Sequence, residues 1–364
     1  MRRRLSILGN RLHIDGALFF GIMMLLGVGL FVLFSAGGED WGLLRRHAIR
    51  ILISLTILLS VAQVSPDTLR RWSPYIFFIG MGVLVLVLIL GYVGRGAQRW
   101  LDFGVIRFQP SEIMKLAVPM TVVWVLTRKP LPPKLTDFIL ALVVTFLPAL
   151  LVAIQPDLGT AMLLIISGLL AIFLAGASWR YLLVMAAFVV ATAPYLWYQL
   201  HDYQRERIVT MFNPWEDPMG SGYHIIQSQI AVGSAGISGK GWLRGTQSQL
   251  EFVPERSTDF IFAVYAEEFG LIGAAVLLIL YLFVVGRSLV LAYRVEHSYS
   301  RLLSGSLALT FFFYVFVNIA MVTGVLPVVG IPLPLISYGG TSMVTLMAAF
   351  GVIMGASTHR RLMR

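Results

Sequence analysis

"ERSTDFIFAVYAEEFGLIGAAVLLILYLFVVG", residues 255–286, decides the fold. From residue 259 onward it is apolar for longer than the roughly 20 residues a helix needs to cross a bilayer. Its head nevertheless carries Glu255, Arg256, Asp259, Glu267 and Glu268. Charge at an apolar boundary is costly unless it is paired or used. Two questions follow: how many such spans the chain has, and what compensates these acids.

Working outward, ten apolar segments read as spans, at about 16–36, 44–64, 73–92, 111–127, 136–154, 158–176, 179–200, 259–286, 302–324 and 341–357. Composition agrees. The 364 residues are 58% hydrophobic and 13% charged, with mean hydropathy +0.82, where soluble domains are about a quarter charged. The expected fold is an all-α polytopic membrane protein with about ten transmembrane helices, a single membrane domain over 1–364. The absence of cysteine excludes disulfides, thiolate nucleophiles and Cys-based zinc sites. The basic start "MRRRLSILGNRLHIDG" is followed by no small-residue cleavage site. The first apolar run therefore reads as a retained helix, not a signal peptide.

Positive charge orients the spans. With both termini cytoplasmic, the inner segments hold 16 of the 28 basic residues, Arg2, Arg3, Arg4, Arg11, Arg360, Arg361 and Arg364 among them, and 4 of the 18 acids. The inner face is then +12 and the outer −2. The net charge of +10 is topological, and nucleic-acid binding has no place in it. The outer loops are 93–110, 155–157, 201–258 and 325–340. The large extracytoplasmic loop between helices 7 and 8, 201–258, is too long for a plain connector, and its apolar stretches predict that it packs on the bundle. The Pro- and Gly-rich 325–340 predicts a re-entrant or interfacial course. Internal repeats and low-complexity tracts are not evident. Polar complexity gathers on one face, where chemistry is expected.

Each candidate has a plain structural alternative. Ser257 and Thr258 suit a helix cap, placing Asp259 in the first turn, where complementing the helix dipole would also explain it. That does not explain Glu267 and Glu268, about two turns deeper. Being adjacent, they cannot share one helix face, and one of them is expected to pair within the bundle. In "QPDLGT", 155–160, Asp157 is a first-turn acid behind a helix-starting proline, or simply a cap. In "PSEIMK", 110–115, Glu112 and Lys115 stand three apart on one helix face, as a site or a local ion pair. "GSAGISGKG", 233–241, lacks the phosphate-loop pattern, yet its amides and Lys240 could cradle a diphosphate. The six histidines are scattered without a metal motif.

Taken together, "GAQRWLDFGVIRFQPSEIMK", "QPDLGT", the long run from "FNPWEDP" to "EEFGLIG" and "GIPLPLISYGGTS" resemble the SEDS family (shape, elongation, division and sporulation) along essentially the whole chain. "GYHIIQSQIA", "GTQSQLEF" and the short N-terminus resemble its elongation branch more than its division branch. The resemblance implies a peptidoglycan glycosyltransferase of the bacterial inner membrane, active on the extracytoplasmic face, that polymerises lipid II and releases undecaprenyl pyrophosphate. It maps an essential aspartate onto Asp259, and cavity residues onto Glu112, Lys115, Asp157, Arg99, Lys240 and Glu255. Its implied partners are a class B penicillin-binding protein and other elongation-complex membrane proteins. An α-linked donor giving a β-linked product requires inversion, hence one carboxylate base, here Asp259. Lys115, Lys240 or Arg99, with or without a divalent cation (magnesium or manganese), would steady the departing diphosphate. The rivals are a flippase for lipid-linked precursors, which should show inverted repeats and broken helices, and a non-enzymatic scaffold.

Overall fold

Ten helices stand at the ten apolar segments in the computed structural model, eight agreeing to within four residues while the helix at 73–92 starts, and that at 259–286 ends, seven residues outside; the structure describes residues 13–94, 97–102, 107–200, 202–220 and 222–359. The terminal arginines counted above, Arg2 to Arg11 and Arg360 to Arg364, lie outside the described residues. In chain order the first helices are α1 (Gly16–Ala36), α2 (Trp41–Ala62), α3 (Pro66–Leu90), α4 (Pro110–Leu126), α5 (Leu135–Ile154), α6 (Leu158–Leu174) and α7 (Trp179–Gln199). Residues 201–258 hold three short helices, α8 (Asp202–Phe212), α9 (Tyr223–Gly233) and α10 (Thr246–Gln249). The chain closes with α11 (Ile261–Tyr293), α12 (Ser298–Val322) and α13 (Thr341–Thr358). Helix starts are written locally. Asp15, Asp40, Ser65 and Asp157 cap α1, α2, α3 and α6, each accepting from a backbone amide two or three residues on, which satisfies a donor the helix leaves open.

Among the described residues six helices are long and apolar enough to cross a membrane, α1, α3, α5, α11, α12 and α13, with shorter apolar helices over α6 and α7. This is the build of a multi-pass membrane protein. In the bundle α2 lies along α13, α11 along α12, and α6 against α5 and α12. The 201–258 segment packs on the bundle as expected, through α9 against α11 and α12.

Two features depart from the sequence reading, and a third agrees with it. The 93–110 loop contains a three-stranded antiparallel ribbon, β1 (Tyr92–Gly94), β2 (Ala97–Asp102) and β3 (Arg107–Phe108), so the chain is not purely helical. Helix α11 is broken at Gly270, with φ 65° and ψ −163°. The break is filled by the 236–241 loop: the amides of Lys240 and Gly241 donate to the carbonyls of Glu267 and Glu268 at 3.0 and 2.9 Å. The amides of Leu271 and Ile272 donate back to Gly236 and Ile237, both at 3.1 Å. Backbone approaches so closely that a Cβ on Gly239 would lie 2.1 Å from the Glu268 carbonyl oxygen. Those glycines serve helix–loop packing, and the amides offered for a diphosphate are already engaged. As expected, the 325–340 segment enters the bundle over residues 331–337, with Ile331, Leu333, Leu335 and Ile336 all nearly inaccessible, while Val325 stays exposed. Tyr281 of α11 donates to the Pro334 carbonyl at 2.6 Å, and Gly29 of α1 leaves room for the Leu335 carbonyl. The Pro–Gly loop is therefore re-entrant.

Candidate active site

Asp259 sits just ahead of α11, whose N-cap is Phe260, and not inside its first turn. Thr258 does not cap the helix; its hydroxyl bonds back to Glu255, to the carboxylate at 2.9 Å and the carbonyl at 3.2 Å. The Asp259 turn is fastened by the re-entrant loop instead. The Tyr338 amide donates to the Ser257 carbonyl at 2.9 Å, and the Ser337 hydroxyl to the Thr258 carbonyl at 2.6 Å. Asn318 of α12 donates one amide group to the carbonyls of both Asp259 and Ile331, at 2.8 and 2.6 Å. The half-buried Asp259 carboxylate lies against Gly330, where φ is 75° and a Cβ would stand 3.4 Å from Oδ2. Only glycine takes that conformation readily.

The second half of the site is built at the starts of α4 and α6. Lys115 donates to Glu112 at 2.7 Å, and both side chains are at least 90% buried. Glu112 Oε2 has no partner among the described residues. Gln109 donates to Asp157 at 2.9 Å, so the entry to α4 and the cap of α6 are tied together. Arg99 lies 3.9 Å from Asp157 and donates to the carbonyls of Gln155, at 3.0 Å, and Pro156. Asp157 is also close enough to act on Lys115 electrostatically.

Helix α12 brings the halves together. Lys115 lies over the Tyr314 ring, 5.4 Å from its centroid. One turn on, Asn318 holds the Asp259 turn. Residues four apart share a helix face, about 6 Å along the axis, so Asp259 and the Lys115–Glu112 pair line neighbouring ground. Gly159 of α6 adds to this by packing on the Val329 carbonyl, one residue from Gly330. Beside Lys115 a largely apolar cleft opens between α4, α12 and α13, where Leu116, Phe311 and Phe350 stand among Tyr314 and Ser342; Asp259 does not line it.

Two predicted site residues stand apart. Lys240 donates to the fully buried Glu267 at 2.7 Å and to Thr246 at 2.8 Å. The same carboxylate accepts the amides of Gln247 and Ser248 at 2.9 and 3.1 Å. Lys240 is therefore the counter-ion of an intramembrane acid, about two turns from Asp259 along α11. Glu268, equally buried, accepts from Ser35 and from the Leu243 amide. Both acids pair within the bundle, where one was expected to. Glu255 is exposed with φ 47°, and Arg256 pairs with Glu251 at 2.8 Å, not with Glu255.

Sequence reasoning missed Asn318, Tyr314, Ser337 and His224. Asn318 carried a signal, since an asparagine inside an apolar helix needs partners. His224 of α9 lies 5.7 Å from Phe260, and its Nδ1 is buried without a partner among the described residues. Burial lowers its pKa, opposed by Glu255 and reinforced by Arg207. Among the described residues no three His, Asp or Glu side chains converge as a metal site.

A helical bundle with a re-entrant loop and several helices long and apolar enough to cross a membrane defines a multi-pass membrane protein. The chain belongs to the cell cycle protein family of FtsW, RodA and SpoVE, whose family model matches residues 12–362. It is 50% identical over 355 residues to the peptidoglycan glycosyltransferase MrdB of Escherichia coli K12, covering 97% of this chain and 96% of that protein. It is 34% identical to a probable peptidoglycan glycosyltransferase FtsW of Idiomarina loihiensis, covering 96% and 88%. Among solved structures it matches a chain described under structural coordination of polymerization and crosslinking by a peptidoglycan synthase complex, with TM-score 0.84, 31% identity and coverage of 96% and 98%. It also matches the Thermus thermophilus rod shape determining protein RodA, with TM-score 0.73, 27% identity and coverage of 95% and 97%.

Proposed function

We propose that this protein is a peptidoglycan glycosyltransferase that polymerises lipid II in the bacterial inner membrane during cell elongation, with Asp259 as its general base. The observation that carries the reading is the convergence on one face of α12 of a half-buried carboxylate, Asp259, and a buried cation, Lys115. Likeness to MrdB along 97% of the chain supports the same reaction.

Asp259 takes the proton from the acceptor's N-acetylglucosamine 4-hydroxyl as that oxygen attacks the donor's anomeric carbon. The bond to the diphosphate breaks on the opposite side, giving inversion in one displacement and releasing undecaprenyl pyrophosphate. The loop and Asn318 fix Asp259 through backbone bonds at Ser257, Thr258 and Asp259, which sets the place of its carboxylate beside Gly330. Lys115 meets the charge that develops on the leaving diphosphate, where a preorganised cation in a dry site is effective. Glu112 holds Lys115, and Asp157 with Gln109 and Arg99 ties the entry of α4 to the start of α6. A divalent cation, magnesium or manganese, would enter this scheme as a companion of the substrate's diphosphate. The active face is extracytoplasmic, with both termini cytoplasmic and ten helices spanning. The partner is a class B penicillin-binding protein that crosslinks the product, in keeping with the synthase complex that holds a related chain, alongside other elongation-complex membrane proteins.

The break in α11 is one feature a flippase would share. Here, however, the freed backbone groups at 267, 268, 271 and 272 are bonded to the 236–241 loop and do not face a transport path. The test is lipid II polymerisation by the purified protein with and without its crosslinking partner, wild type against Asp259→Asn. The variant is expected to lose on the order of 10²- to 10⁴-fold in rate while folding normally. Equal glycan ladders from both would remove Asp259 from its role, and no ladders under any condition would favour the flippase.

A further inference from the structure

His224 adjoins the catalytic turn and has no part in the mechanism above. It is carried by α9, which is pinned to the end of α12. The buried Ser228 hydroxyl donates to the Val322 carbonyl at 2.8 Å, and the Gln229 side chain to that of Thr323 at 3.3 Å. His224 stands one turn before Ser228 on the same face of α9. Its ring lies 5.7 Å from that of Phe260, tilted by 33°, and Phe260 directly follows Asp259. Glu255 and Arg207 of α8 both act on it electrostatically. Each is tied to the surroundings of Asp259. Arg207 donates to the Val328 carbonyl at 3.0 Å, two residues before Gly330. Glu255 accepts from the Thr258 hydroxyl at 2.9 Å, next to Asp259. The 201–258 segment therefore brings three side chains, Arg207, His224 and Glu255, to the catalytic turn.

The ring is partly exposed. Nδ1 is sealed and has no partner among the described residues, so Nε2 is the open nitrogen. Burial lowers the pKa against the opposing pull of Glu255, with Arg207 reinforcing, so the imidazole is neutral at pH 7. A neutral imidazole carries one hydrogen. A buried N–H without an acceptor is rarer in folded proteins than an unfilled acceptor. The hydrogen is thus assigned to Nε2, on the open side. An uncharged N–H donor beside a catalytic base suits an uncharged oxygen. It can grip a sugar hydroxyl without drawing the diphosphate away from Lys115. We propose that His224 is a further substrate-binding residue, whose Nε2–H donates to a hydroxyl of the acceptor sugar next to the one that Asp259 deprotonates. Phe260 seats the ring, so donor and base are carried by one turn. The identity of the sugar rests on the glycosyltransfer reading, while the donor itself rests on the geometry.

The test is polymerisation of lipid II by the full-length protein in detergent with its crosslinking partner, read as kcat and KM for wild type, His224→Phe and His224→Gln. His224→Phe keeps a ring against Phe260 and loses both nitrogens. His224→Gln loses the ring and keeps a donor. His224→Phe is expected to lose about threefold to tenfold in kcat/KM, the worth of one neutral hydrogen bond. The loss should fall mostly on KM, because the bond is made before the chemical step. His224→Gln is expected to recover most of it. A role in packing alone predicts the reverse order. His224→Phe within about twofold of wild type, or His224→Gln more impaired than His224→Phe, overturns the proposal. If His224→Phe does not fold, His224→Gln against His224→Leu decides: a severalfold advantage of the former supports the donor, and equal values overturn it. The two readings fail distinguishably. Glycan from the wild type with His224→Phe unimpaired sinks the role of His224 alone, whereas no glycan from the wild type sinks the glycosyltransferase and this role with it.

Discussion

Glu267→Gln should loosen the loop that plugs the break in α11. The native carboxylate is fully buried and accepts from Lys240 at 2.7 Å, from the amides of Gln247 and Ser248 at 2.9 and 3.1 Å, and from Thr246 at 3.2 Å. Glutamine keeps the shape but removes the charge, and turns a donor toward the Lys240 ammonium or the Ser248 amide. Breaking a buried pair from one side costs about 3–5 kcal/mol. Lys240 is 24% exposed and can turn to water, so the lower end, about 3 kcal/mol, applies. At about 1.4 kcal/mol per tenfold, the local opening equilibrium should rise on the order of 100-fold. Hydrogen–deuterium exchange of peptides covering 236–250 and 267–272 in detergent reads this directly. Exchange within about threefold of wild type there would refute the argument that Glu267 and Lys240 hold the plug. Lys240→Met should accelerate the same peptides yet retain polymerisation where the protein stays folded, since Lys240 is placed in the plug and not in the cleft.

Glu112→Gln leaves Lys115 buried beside a neutral group and should cost about 3 kcal/mol in unfolding, with Glu112→Gln/Lys115→Met recovering part of it; additive losses would deny the pair any coupling. Gly270→Ala places a Cβ 2.3 Å from the Gly239 nitrogen at a positive φ, so it should be destabilising by about 3 kcal/mol or fail to express folded; a thermal midpoint like wild type would refute the backbone-packing account. Asp15 is desolvated, which alone would raise its pKa, but its bonds to Arg287 and the Leu18 amide hold it below the ordinary value. A carboxylate with a depressed folded pKa adds stability above its unfolded value of about 4, lost as pH falls through the folded pKa. Asp15→Asn should therefore lower the thermal midpoint at neutral pH and flatten its decline below about pH 4.

Much of the architecture is local in origin and could be read from the chain. Apolar length fixes a spanning helix because lipid offers no partner for backbone polar groups. A helix stands at each of the ten apolar segments, six of them long and apolar enough to cross a membrane, and Asp157 became a cap because it precedes a helix start. Glu112 and Lys115 met because three residues of helix place them on one face. Where sequence reasoning fell short, the missing information was long-range. Nothing around Gly270 shows that another glycine, Gly239, will press against it from 31 residues away, and this contact turns one long apolar run into a broken helix. Lys240 looked like a phosphate ligand until the fold set Glu267 beneath it. Asp259 was visible as a charge out of place. That it faces Gly330, held through Ser337, Tyr338 and Asn318, depends on a loop some 70–80 residues downstream re-entering the bundle. Periodicity and hydropathy report which residues enter the membrane. Which buried polar groups satisfy one another there, and which are left for a substrate, was decided only when the helices packed.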